Sequence, residues 1–131
     1  MPNRMNYLLE WMLDYEIRSS QRYGHRLSLV VMTSGDHRSI PKKMLAGTVR
    51  RCDEFFDLGT DSVVLMGETG REGALCAVER FGFTCNGEVD LRFGVASYPE
   101  DGDSREVMLE VAKHRLRQAL KGTQGPVVTA G

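Results

Sequence analysis

The chain has 131 residues, 41% hydrophobic and 27% charged, which is one domain's worth of sequence with material for a modest core. Seventeen basic residues against eighteen acidic ones leave a formal net charge of -1, so there is no basic excess for non-specific nucleic-acid binding. No apolar run approaches the roughly 18 residues that span a bilayer, and the start lacks a positive-then-apolar signal layout. The expectation is a cytoplasmic domain with no membrane insertion. Cys52, Cys76 and Cys85 form no CxxC pair, which argues for buried thiols rather than a disulfide framework or a zinc site.

From Met5 to about Arg22, the residues Met5, Leu8, Leu9, Met12, Leu13 and Ile17 recur at helical spacing. This predicts an amphipathic helix capped by Asn3 and stopped at Gly24. Leu27 to Met32 is almost continuously apolar, as in a central strand covered on both faces. Thr33 to His37 reads as a loop. Ile40 to Cys52 predicts a second helix, with Pro41 in its first turn and Met44, Leu45, Val49 and Cys52 on one face. Phe55 to Leu58 and Ser62 to Met66 predict an antiparallel hairpin turning through Gly59, Thr60 and Asp61.

Arg71 to Arg80 predicts a third helix with Leu75, Cys76 and Val78 inward, and Val89 to Tyr98 another strand. After the turn Pro99 to Asp103, the spacing of Asp103 and Glu106 predicts a capping box for a last helix running to about Lys121 and stopping near Gly122. Pro126 to Thr129 fits a final edge strand. The order predicts an α/β fold with one central mixed, mostly antiparallel sheet and helices on both faces. Residues 1–131 read as a single domain.

Two stretches carry a family resemblance. Phe93-Gly-Val-Ala-Ser-Tyr-Pro-Glu-Asp-Gly-Asp103, followed by an apolar helix, resembles the strand and turn GVASYPEDGD of GGDEF domains, the diguanylate cyclases and their inactive relatives. Upstream, Pro2-Asn3-Arg4 resembles the LPNR opening of those domains, and Arg22 to Leu29 resembles the helix-to-strand passage that follows it. Arg50 to Val63 lies where their signature hairpin belongs. The similarity runs through nearly the whole chain in order and implies the GGDEF, nucleotidyl-cyclase-like fold. Because it begins at the first residues, and such domains usually follow a sensory or linker segment, it fits a domain excised from a longer protein.

The departures from the family pattern bear on activity. In active members the hairpin reads Gly-Gly-Asp/Glu-Glu-Phe; here it is Gly59-Thr60-Asp61-Ser62-Val63. The paired glycines admit the GTP phosphates, and a β-branched Thr60 crowds that approach. The magnesium-ligating aspartate at the end of the first strand corresponds to Thr33, whose neutral hydroxyl is no substitute at a hard cation. The stretch between that strand and Arg50 is short by roughly one helix, the segment that holds guanine and metal in active members. The phosphate-binding lysine and arginine of the last helix correspond to Leu120 and Gln124. The resemblance thus implies no diguanylate cyclase activity, no catalytic residue, no metal ligand and no cofactor.

One regulatory element matches. Many GGDEF domains bind cyclic di-GMP at an inhibitory Arg-x-x-Asp motif, with five residues between its aspartate and the signature. Arg50-Arg51-Cys52-Asp53 has that spacing before Gly59, and Arg80 falls where the family places a second arginine. An arginine fork can pair with the guanine O6/N7 edge or with phosphate, and an aspartate accepts from guanine N1 and N2. The plainer alternative is a solvated i,i+3 ion pair, for which Arg51 competes.

Other residues read more simply. Asp61 reads as a turn residue, Cys52 as a small buried one, His25 and His37 as loop residues and His114 as a helix-surface residue. Trp11 and Phe81 read as core or interface packing. The run Glu100 to Asp103 reads as a solvated turn, and His114, Arg115, Arg117 and Lys121 as a solvated basic stripe. Two functions follow from the whole. The first is a catalytically inactive receptor or signalling module for cyclic di-GMP, acting through Arg50, Asp53 and Arg80 on a protein partner or fused domain, with a homodimer crosslinked by ligand as one form. The second is a nucleotide-independent interaction or dimerisation scaffold, with the first helix supplying the apolar contact.

Overall fold

Eight residues from Leu27 to Ser34 form the central strand β1, and the first six of them are buried. That apolar run needs cover on both faces, and the chain supplies it. A computed structural model describes residues 4–36, 40–85, 89–122 and 125–130. The elements are α1 (Arg4–Tyr23), β1, α2 (Lys42–Ala46), β2 (Asp53–Asp57), β3 (Ser62–Gly67), α3 (Arg71–Cys85), β4 (Leu91–Tyr98), α4 (Arg105–Lys121) and β5 (Val127–Val128). The sheet has the order β2-β3-β1-β4-β5. All its pairings are antiparallel except that of β4 with β5.

The strand alternation splits the core in two. Leu27, Leu29 and Val31 face one layer with Leu9, Leu13 and Ile17 of α1 and Met108, Ala112 and Leu116 of α4. Val30 and Met32 face the other layer with Leu45 of α2 and Ala74, Ala77, Val78 and Phe81 of α3. Gly94 lets α4 lie close on β4: a Cβ there would stand 2.1 Å from the Ala112 carbonyl oxygen. The expected mixed sheet with helices on both faces is therefore the fold.

Several local expectations are corrected. The second helix covers only Lys42–Ala46 rather than Ile40 to Cys52. Gly47 is a poor helix former, and the hydroxyl of Thr48 bonds to the Leu45 carbonyl and ends the helix. The cap of α4 is Ser104, whose hydroxyl accepts from the Val107 amide at 3.3 Å, not Asp103. Thr33 and Ser34 extend β1, and α3 continues to Cys85. Cys52 and Cys76 are exposed rather than buried, and Leu8 and Trp11 stand outside the core. Phe81 is fully buried. Asn3, His37 and Gln124 lie outside the described residues.

The acidic turn and the basic stripe also change meaning. Arg115 is buried, because it follows Met108 and Ala112 on the inward stripe of α4. It donates to the Val95 carbonyl at 2.8 Å and to Asp101 Oδ1 at 2.9 Å. The side chain of Asp101 is buried too, and it accepts from the Ser97 amide at 2.8 Å. Arg71 at the start of α3 approaches the same carboxylate at 3.6 Å. Burial alone would raise the Asp101 pKa, but Arg115, the Ser97 amide and Arg71 outweigh it and hold the carboxyl below its ordinary 3.8.

Removing one partner of such a pair strands a buried charge. Arg115→Ala is therefore expected to cost about 3–5 kcal/mol in urea unfolding. Because the folded pKa of Asp101 is depressed, its contribution is complete above pH 3.8 and lost as pH falls through the folded value. Unfolding measured against pH should show that loss in the parent chain and a flatter acid limb in Arg115→Ala.

Candidate functional site

The hairpin of β2 and β3 carries the two candidate sites at its opposite ends. At the tip, the Leu58 amide donates to the Asp61 carbonyl at 2.9 Å and closes the turn. Gly59 has φ of +96°, a conformation that favours glycine. Its amide donates to Asp57 Oδ1 at 2.9 Å. Lys42 reaches over from α2 and donates to Asp57 Oδ1 at 2.7 Å and to the Gly59 carbonyl at 2.9 Å. From β1, the Thr33 hydroxyl donates to the Thr60 carbonyl at 3.0 Å. The tip is thus clasped from both sides. The Lys42 bond, with the Gly59 amide, holds the Asp57 carboxyl below its ordinary range.

The signature residues divide by strand parity and position. Gly59 and Thr60 are exposed and Asp61 is half-buried. Burial raises the Asp61 pKa, with Lys113 of α4 opposing. Ser62 begins β3 with its hydroxyl buried and unpartnered among the described residues, and Val63 lies in the core.

Of the two carboxylates that hold magnesium in active members of the family, this chain keeps only Asp61, too few for a hard cation. The Thr33 hydroxyl is spent on a carbonyl, the Ser62 hydroxyl faces inward, and Asp57 is neutralised by Lys42. Among the described residues, no group of three His, Cys, Asp or Glu side chains is placed to hold a metal ion. Leu120 is an exposed apolar residue on α4.

At the opposite end, the turn before β2 brings Arg50 and Asp53 together. The Asp53 amide donates to the Arg50 carbonyl at 3.0 Å, and the Arg50 amide donates back to Asp53 Oδ2 at 3.1 Å. Arg50 Nε lies 3.5 Å from the same oxygen, and its terminal nitrogen donates to the Thr69 hydroxyl. The Arg50 side chain is 49% exposed and that of Asp53 is fully buried. The Cys52 thiol lies 3.6 Å from Asp53 Oδ1. Arg51 stands exposed beside them.

Arg80 is also exposed, on the outer side of α3, with its guanidinium 6.0 Å from the Phe81 ring. It sits nine residues beyond Arg71, about 14 Å along the helix axis. Arg50 bonds instead at Thr69, just before that helix begins. The structure therefore joins Arg50 to Asp53, while Arg80 stands exposed on α3. Sequence reading missed Lys42, which lies 15 positions from Asp57 and carries no motif.

Lys42→Met should free the tip with little effect elsewhere. The Gly59 amide is expected to exchange about ten-fold faster in hydrogen exchange, while global stability shifts by no more than about 1 kcal/mol. Unchanged protection at Gly59 would mean that the lysine does not hold the turn.

No family model matches the chain, and no curated protein is significantly similar to it. Solved structures are. The GGDEF domain of the Pseudomonas aeruginosa protein YfiN (also TpbB) superposes with a TM-score of 0.83 at 19% identity, over 100% of this chain and 91% of that one. The diguanylate cyclase SiaD of Pseudomonas aeruginosa, solved with its activator SiaC, gives a TM-score of 0.82 at 18% identity, over 98% of this chain and 61% of that one. The active GGEEF domain of a diguanylate cyclase from Vibrio cholerae gives 0.69 at 15% identity, over 99% of both chains. The chain has the fold of GGDEF domains.

Proposed function

We propose that the chain is a non-catalytic signalling domain of the GGDEF fold that binds cyclic di-GMP at the Arg50–Asp53 turn. The observation that carries this reading is the turn itself, which keeps a half-exposed arginine beside an aspartate at the end of the hairpin away from the signature. Arg50 would pair with a guanine edge or a phosphate. In the present arrangement the Asp53 carboxylate bonds inward, so ligand binding requires it to leave the Arg50 amide and turn outward. Arg80, exposed on α3, would supply a second guanidinium to the ligand. Loss of GTP condensation is supported by the tip, where Thr33 stands in place of a magnesium-ligating aspartate and Lys42 occupies the Gly59 carbonyl.

The burial of Asp53 favours a second reading, a nucleotide-independent interaction module. In it, Arg50 and Asp53 simply brace the start of β2.

Titration calorimetry separates the two. The receptor reading expects cyclic di-GMP to bind at micromolar or tighter affinity and Arg50→Ala to weaken it by about ten- to a hundred-fold, since a charged bidentate contact is worth roughly 1.5–3 kcal/mol. No heat with cyclic di-GMP would leave the interaction module. Incubation with GTP and magnesium should yield no cyclic di-GMP; turnover abolished by Asp61→Ala would overturn the non-catalytic assignment.

A further inference from the structure

The outer face of α1 carries a row of exposed aromatic residues. Leu9, Leu13, Ile17 and Ser20 turn into the core. Opposite them, at helical spacing, Tyr7, Trp11 and Tyr15 are 60%, 63% and 59% exposed, with Leu8 beside them. The Trp11 and Tyr15 rings stack at 6.2 Å with an interplanar angle of 18°, which fixes a flat aromatic surface. Such a strip costs solubility when bare and is the composition of interface anchors.

Charge on this face is mainly basic, since Asp14 at its edge is already paired with Arg105 at 2.9 Å. Arg18 and Arg22 continue the strip toward the C-terminal end of α1 and form no ion pair among the described residues. With Tyr15 and Tyr23 they line a surface cavity of about 780 Å³. The carboxylates of the helix are drawn elsewhere: Glu10 and Asp14 toward Arg105 of α4, and Glu16 toward Gly67. A second copy of the same face would set arginines against Arg18 and Arg22, with Asp14 already held by Arg105.

We infer that the outer face of α1 docks an amphipathic helix of another protein. Aliphatic side chains of that helix lie on Tyr7, Trp11 and Tyr15, and its carboxylates meet Arg18 and Arg22. This gives the interaction-module reading its surface, and it needs neither Arg50 nor a nucleotide.

Trp11 is the sole tryptophan of the chain, so its fluorescence reports on this face alone. The probe is a synthetic helical peptide of about four turns with leucines on one face and glutamates at one end, set against the same peptide with lysines for glutamates. The glutamate peptide is expected to shift Trp11 emission to the blue in a saturable way. The lysine peptide should bind at least about ten-fold more weakly, and the Arg18→Glu/Arg22→Glu chain should reverse the order. Both arginines are exposed, so that variant should fold, as far-ultraviolet circular dichroism can verify.

Equal affinity for the two peptides would overturn the proposal, as would no shift at millimolar peptide. A shift produced by raising the concentration of the chain alone would assign the face to a second copy and also overturn it. The titration contains no nucleotide, so its failure is distinct from a failure of cyclic di-GMP binding.

Discussion

The buried pair of Arg115 and Asp101 organises the half of the molecule that carries the central strands. Its partners come from the β4 backbone, the turn after β4, the inward stripe of α4 and the first turn of α3. A charge placed in that interior must be neutralised and hydrogen-bonded, and this placement of the elements gives both terminal nitrogens of Arg115 an acceptor. The close approach of α4 to β4 at Gly94 works in the same direction, since the gap admits no side chain. Together they fix the two helical layers against the sheet.

Held in this frame, the β2–β3 hairpin has two ends with different chemistry. Its tip is closed on itself: backbone carbonyls that could face a ligand accept from Lys42 and Thr33 instead. A lysine supplies locally the positive charge that a bound cation would supply in a carboxylate-rich site. The far end is a turn in which an arginine and an aspartate share three polar contacts and only the arginine reaches solvent. Whatever recognises that end meets the guanidinium first. A ligand that needs the carboxylate has to compete with the Arg50 amide for it.

The first helix faces two ways. Its inward stripe completes one core layer, and its outward stripe places aromatic rings, and arginines with no ion pair among the described residues, in water. These demands are separate because residues on opposite sides of a helix do not share contacts. The helix can therefore keep the fold while its exposed face answers to a partner.

Much of the fold was written in local pattern. The apolar run Leu27 to Met32 specified a doubly covered strand, the Gly59-Thr60-Asp61 segment specified a tight turn, and Gly24 and Gly122 specified helix ends, all through interactions within a few residues. The Arg50–Asp53 pairing was equally local, being an i,i+3 contact. Other features depended on packing between distant segments. Periodicity alone placed Leu8 with the apolar residues of α1, but the sheet accepts only one side of that helix. Arg115 looked like part of a solvated stripe until its position beside Met108 and Ala112 put it under the sheet. Lys42 and Asp57 belong to different elements. Sequence determined which elements form and where the chain turns, because those depend on neighbours; tertiary structure decided which charges are buried, which are spent and which remain free, because those depend on which surfaces meet.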